Sequence, residues 1–136
     1  MDSRAARDFI ASHHRAVLAT YRRDGTVQLS PVLAGVDGEG RVLISSREGA
    51  IKTLNLRRDP RVALTAFSDQ FFGPWVVIWG RAEVLSLPAA LPLLEQYYRL
   101  VVGEHPDWDE YRSAMVAERR VLLRITVESA GPERSG

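Results

Sequence analysis

Arg-Asp-Gly at 23–25 separates two runs of strand-forming residues, AVLATYR at 16–22 and TVQLSPVLAGV at 26–36. A turn this short joins only antiparallel neighbours, so the first third of the chain must enter the fold as a hairpin. The second run alternates. Val27, Leu29 and Pro31 fall on one face, and Gln28, Ser30 and Val32 on the other. Pro31 has no N–H to give a ladder, which places this strand at a sheet edge or at an irregularity. A second turn, DGEG at 37–40, leads into RVLISS at 41–46. RVALTAF at 61–67 and WVVIWGRAEVLSL at 75–87 flank the loop DQFFGP, and RVLLRITVE at 120–128 is the last strand. Gly80 marks a bulge or a close backbone approach.

The helices stand apart from this pattern. Asp2 or Ser3 can cap a helix over about 3–13, with Phe9 and Ile10 on its inner face. Residues 49–58 form a short helix with Ile51, Leu54 and Leu56 as its apolar positions, ended by Asp59-Pro60. After residue 87 the period changes from two to 3.6. PAALPLLEQYYRLVVG at 88–103 carries Leu91, Leu94, Tyr98 and Val101 on one stripe, with Gly103 as its C-cap. DWDEYRSAMVAERR at 107–120 follows, with Asp107 as N-cap and Glu110 at capping-box spacing. The expected fold is mainly β: six strands in a meander that closes into a small barrel, with flanking helices. One domain over 1–136 is expected, with a mobile tail over 129–136.

The chemistry that the residues exclude is clear. There is no cysteine, hence no disulfide, thiolate nucleophile or Cys-ligated metal. A net charge of +1 lends no support to a nucleic-acid partner. His13 and His14 are adjacent and point apart, and His105 is remote, so no metal site is expected. Hydrolase motifs of the Gly-x-Ser-x-Gly or His-Glu-x-x-His type are missing. The N-terminal segment lacks the apolar stretch of a signal peptide, and no run is long enough to span a bilayer. A cytoplasmic protein is the expectation.

One feature points to a ligand. SSREGAIK at 45–52 runs from a strand end through small residues into a helix start, and Lys52 is the single lysine against 17 arginines. Free N–H groups and the helix dipole favour an anion there. Lys52 adds three charged donors, and Ser45, Ser46 and Thr53 add hydroxyls. A phosphate suits this pattern; a solvated helix start with a surface lysine is the alternative. Trp75 and Trp79 share a strand face and can wall a flat ligand, or else serve a core or an interface.

These segments carry a resemblance. AVLATYRRDGTVQLSPV, LISSREGAIKTLNLRRDPRVAL, WGRAEVL and GEHPDWDEYRSAMVAERRVLL together resemble the pyridoxamine 5′-phosphate oxidase-like split β-barrel superfamily, and within it the B group of F420-dependent flavin/deazaflavin oxidoreductases. The resemblance implies a homodimer of split barrels with cofactor sites at the dimer interface. It implies that Lys52 binds the cofactor phosphate, and that Ser45, Ser46, Arg47, Gly49 and Ala50 line the phosphate and ribityl chain. Gln28, Ser30, Pro31 and Val32 would border the ring system, Trp75 and Trp79 would wall it from the same or the partner subunit, and Arg119 would face the cofactor tail. Asn55 matches the motif and can serve backbone structure instead.

The implied activity is hydride transfer between F420 and a small conjugated organic substrate. FMN is the alternative cofactor, and a non-catalytic flavin- or haem-binding protein is the alternative function. Two departures qualify the match. Ala50 and Ile51 stand where many relatives carry a basic residue, which removes a phosphate contact. The chain ends in ESAGPERSG without the Arg/His pattern that true pyridoxamine phosphate oxidases use for substrate, so vitamin B6 oxidation is not expected.

Overall fold

The computed structural model describes residues 1–132. The elements are α1 (Ser3–Ser12), β1 (Arg15–Tyr21), β2 (Val27–Leu33), β3 (Gly35–Val36), β4 (Val42–Arg47), α2 (Ile51–Arg58), β5 (Arg61–Phe67), β6 (Trp75–Leu85), α3 (Leu91–Val101), α4 (Trp108–Ala117) and β7 (Arg120–Gly131). All seven strands join one antiparallel sheet in the order β2-β1-β5-β6-β7-β4-β3. The sheet curls into a half-barrel, the split-barrel architecture that the resemblance implied, and it is not the expected meander: β1 lies beside β5 and β4 beside β7, because the chain crosses over through α2 and through α3 and α4. Proline position agrees with topology: β2 pairs only with β1, so Pro31 sits on an edge strand.

The strand count differs from expectation by one. The run 26–36 breaks at Ala34, whose N–H donates to the His14 carbonyl at 2.8 Å, while His14 Nδ1 lies 2.8 Å from the Ala34 carbonyl. That clamp takes Ala34 out of the ladder. The chain then changes partner from β1 to β4 and becomes β3. The expected tail also begins too early. Ser129, Ala130 and Gly131 belong to β7 and pair with Trp79, Ile78 and Val77. Residues 133–136 of that expectation lie outside the described residues.

Between Gly80 and Trp79 the register with β7 shifts, leaving Glu128 as the extra residue of a bulge. A Cβ on Gly80 would stand 2.0 Å from the Thr126 carbonyl oxygen, so only glycine fits. Both halves of the sequence expectation for Gly80 therefore hold.

Alternation along each strand sends one set of side chains inside. Leu18, Leu64, Ile78, Leu123, Ile125, Val42 and Ile44 form the main core, all buried, and α1 adds Ala6 and Ile10. Burying each such Leu or Ile contributes about 1.5–3 kcal/mol. Asp2 caps α1 by accepting from the Arg4 N–H at 2.9 Å, and Asp107 caps α4 by accepting from Glu110 N–H at 3.1 Å. Helices α3 and α4 cover the outer face of β4 and β7, where Leu43 and Leu122 meet Leu94, Tyr111 and Met115. No helix among the described residues is long and apolar enough to cross a membrane.

Helix α2 runs against its own apolar pattern. Ile51 and Leu54 are 53% and 48% exposed, whereas Thr53 and Asn55 are buried beside Leu56. Two hydrogen bonds explain the inversion. Asn55 Nδ2 donates to Thr20 Oγ1 at 3.1 Å, and the Thr53 and Ser46 hydroxyls bond each other at 2.8 Å. Polar groups that are fully paired can be buried at small cost, and here they dock the helix on the sheet.

Candidate functional site: a cationic helix start and an arginine groove

The docking of α2 fixes where Lys52 points. Its ammonium lies at the end of the sheet where Arg47 closes β4 and Arg120 opens β7, residues that pair directly in the ladder. Among the described residues Lys52 has no hydrogen-bond or ion-pair partner. Partial burial pushes its pKa below the usual lysine value, and repulsion from Arg120 and Arg47 pushes the same way. Glu48, four residues before Lys52, is engaged elsewhere: it accepts from Arg57 at 2.7 Å and from Ser86 at 2.8 Å. Glu118 faces the cluster, at 2.8 Å from Arg120 and 4.0 Å from Arg47. Glu48 lines the same end with Arg119 and Arg120, and Lys52 itself pairs with neither carboxylate. The start of α2 adds to the cations, because Ala50 at the N-cap offers no side-chain acceptor to the first-turn N–H groups.

Other expected residues divide into three groups. Ser45 and Arg47 project from the outer face of β4, beside Lys52, with Gly49 and Ala50 in the connecting turn. Arg119 lies at the same end, in the left-handed region (φ 53), with its carbonyl accepting from the Glu48 N–H at 2.9 Å. Ser46 and Thr53, by contrast, face inward and satisfy each other, so their hydroxyls point away from the cation cluster. On β2, Ser30 and Val32 face the barrel interior while Pro31 faces out.

Gln28 belongs to a neighbouring groove of 650 Å³ formed with Arg22, Arg23, Ile51, Leu54, Asn55, Arg57 and Arg58. Arg22 donates to Gln28 Oε1 at 2.8 Å, and Arg58 donates to the Tyr21 carbonyl at 2.7 Å and to Asn55 Oδ1 at 3.1 Å. Of the four arginines only Arg57 meets a carboxylate within 4.0 Å among the described residues. The exposed Ile51 and Leu54 form its apolar floor. The groove begins at Ile51, the residue before Lys52, so the two cationic surfaces adjoin.

Trp75 does not join this assembly within one chain. Strand β6 runs from Trp75 to Leu85, and Leu85 pairs with Leu122, two residues from Arg120. At about 3.3 Å per residue, Trp75 stands about 30 Å from the Lys52 end. Trp79 lies between them on the outer face, packed on Gly131. Arg120, Arg22 and Arg23 were not anticipated as site residues. Arg120 meets Lys52 through strand register, which no local pattern announces.

A family model described as pyridoxamine 5′-phosphate oxidase matches residues 3–131. The chain belongs to that family. Solved structures share the fold. A conserved hypothetical protein from Mycobacterium tuberculosis is 24% identical, with a TM-score of 0.75, covering 100% of this chain and 92% of its own. A protein titled F420 reductase is 18% identical, with a TM-score of 0.68, over 91% of this chain and 94% of its own. A FAD-binding protein from Mesorhizobium loti is 17% identical, with a TM-score of 0.69, over 96% of this chain and 92% of its own.

Proposed function

We propose that this protein is an F420-dependent reductase that works as a homodimer and passes a hydride between the deazaflavin and a small conjugated organic substrate. The observation that carries the proposal is Lys52: a partly buried ammonium with no hydrogen-bond or ion-pair partner among the described residues, beside Arg47 and Arg120, at a helix start without a side-chain cap. Such a site gains most from a phosphate, which supplies the missing acceptors and relieves the repulsion among the three cations.

The arginine groove supports F420 over FMN. Both carry a phosphate, but only F420 extends beyond it into an acidic tail. Arg22, Arg23 and Arg58 make no ion pair within 4.0 Å among the described residues and adjoin the Lys52 end, so they suit carboxylates of that tail. Loss of a basic side chain at 50 and 51 weakens the phosphate contact; the exposed Ile51 replaces it with apolar surface on the groove floor. The deazaflavin, when bound, supplies the hydride. The chain's own residues hold the phosphate through Lys52, Arg47 and Arg120, orient the tail through the groove, and leave protonation to solvent, since no side chain stands out as a general acid.

Side-by-side fluorescence titration with F420 and FMN tests this. F420 should bind more tightly, and Lys52→Ala should weaken it by about 1.5–3 kcal/mol, the range for a hydrogen bond to a charged group. Arg22→Ala with Arg58→Ala should weaken F420 and leave FMN unchanged. Tighter FMN binding would make this a flavoprotein, and an unchanged dissociation constant in Lys52→Ala would remove Lys52 from the site.

A further inference from the structure

A carboxylate stands inside the cationic turn that leads to Lys52. Glu48 lies four residues before the ammonium, and an anion held by Lys52 would be repelled by it. Its bonds give a reason for its place. Glu48 Oε2 accepts from Arg57 Nη2 at 2.7 Å, and Oε1 accepts from Ser86 Oγ at 2.8 Å. The same Arg57 Nη2 donates to Ser86 Oγ at 2.9 Å, which closes a triangle of hydrogen bonds. The Glu48 N–H donates to the Arg119 carbonyl at 2.9 Å. One residue is thus tied to the last turn of α2, to the segment after β6 and to the junction of α4 with β7.

The rest of the turn has little to hold it. Ser46 and Thr53 are buried on either side, while Arg47, Gly49 and Ile51 between them are exposed. A Cβ built on Gly49 meets open space, so this glycine packs on nothing. Ala50 starts α2 without a side-chain cap, and its N–H returns only to the Arg47 carbonyl at 3.2 Å. Arg47 meets Glu118 at 4.0 Å, and Lys52 has no hydrogen-bond or ion-pair partner among the described residues. The bonds of Glu48 are therefore what fixes the turn against the rest of the fold. The Ser86 hydroxyl first, and the Arg57 guanidinium next, also hold its carboxyl below the usual carboxylate range, so it is ionised at neutral pH. Bonds to an ionised acceptor are stronger than neutral ones.

We propose that Glu48 is a positioning residue for the anion site: through Arg57, Ser86 and the Arg119 carbonyl it fixes the turn 47–50, so that Lys52 and the first N–H groups of α2 face one ligand. This role rests on the reading of Lys52 as a phosphate ligand. It also separates Arg57 from Arg22, Arg23 and Arg58, because Arg57 serves the turn and not the ligand's tail. Charge and position make opposite demands on Glu48. By charge alone, losing a carboxylate near a bound anion tightens binding. By position, losing it frees the turn, and the cost of ordering the turn then opposes binding.

Hydrogen exchange of the ligand-free full chain and fluorescence titration with F420 test this together. In Glu48→Ala the hydrogen-bonded amides at 48 and 50 should exchange about tenfold faster, and in Ser86→Ala about threefold faster, with Leu64 and Ile78 in the core unchanged. Faster exchange spread equally to Leu64 and Ile78 would assign Glu48 to overall stability and overturn the proposal. F420 should bind Glu48→Ala at least fivefold more weakly than the wild type. Glu48→Gln should bind within twofold of the wild type, because its amide oxygen accepts from Arg57 and its NH2 group donates to Ser86 Oγ. Unchanged or tighter binding by Glu48→Ala, unchanged exchange at 48 and 50, or a Glu48→Gln no better than Glu48→Ala would each overturn the proposal. If the wild type does not bind F420, the cofactor reading fails by itself. Pyrophosphate then replaces F420 as the probe, read from the amide NMR shifts of residues 49–52. Weaker pyrophosphate binding by Glu48→Ala would sustain the role of Glu48; equal or tighter binding, or none to the wild type, would overturn it.

Discussion

Two halves of one sheet surface differ in what covers them. Over β4 and β7 the outer face meets α3 and α4, and Leu122 is 0% exposed. Over β2, β1, β5 and β6 the same outer face is bare. The ladder aligns Leu29, Ala19, Ala63 and Trp79 in one row, Pro31, Val17, Thr65 and Val77 in the next, and Leu33, Phe67 and Trp75 beyond. Leu29 is 64% exposed and Trp79 46%. Both halves alternate in the same way along their strands, so alternation states that a side chain points outward and is silent about what lies there. An apolar band of this extent normally marks an interface, and it is where the proposed homodimer would join.

The largest effect should come from the covered half. Leu122→Ala removes a side chain enclosed by Leu43, Leu94 and Met115, and should cost about 2–5 kcal/mol in urea unfolding. Leu29→Ala at low protein concentration should cost less than about 0.5 kcal/mol, as for an exposed site. Similar costs for the two would mean that Leu29 is covered in the isolated chain. A charge on the bare half sharpens the contrast. Trp79→Glu should shift the mass seen by light scattering from dimer to monomer and leave the monomer's melting temperature near that of the wild type. A wild-type mass of one chain at micromolar concentration would refute the dimer.

The smallest effect is a pH slope confined to the covered half. Burial raises the Tyr111 phenol from its ordinary 10 to about 12, and its hydroxyl donates to the Leu94 carbonyl at 2.8 Å. The folded state therefore holds this proton where the unfolded chain releases it. Stability from Tyr111 is full below pH 10 and is lost as pH rises from 10 toward 12. Urea midpoints at pH 9 and pH 11 should differ, and Tyr111→Phe should shrink the difference. An unchanged slope in that variant would assign it to other groups.

Lys52 shows how far local pattern reached into the candidate site. Its place at a helix start after a strand was legible from SSREGAIK, because the strand, the turn and the helix are each short-range features. Its company was not. Arg120 reaches it through a ladder between residues 47 and 120, and a pairing that distant leaves no periodic trace. Ser46 and Thr53 have the right chemistry for a phosphate, yet strand and helix phase turn them toward each other. The apolar Ile51 and Leu54 looked like an inner face and lie outside, because Asn55 found Thr20 and Thr53 found Ser46.

What the sequence by itself determined is the antiparallel hairpins β1–β2, β3–β4 and β5–β6, the capped starts of α1 and α4, the edge position of Pro31 and the bulge at Gly80. Each follows from backbone sterics or from a hydrogen bond between near neighbours. Tertiary structure alone decided the partner change at Ala34, the inversion of α2, the meeting of Arg47, Lys52 and Arg120, and the distance that separates Trp75 from them. Those outcomes depend on which strand lies beside which, and that is set by the summed packing of the whole core.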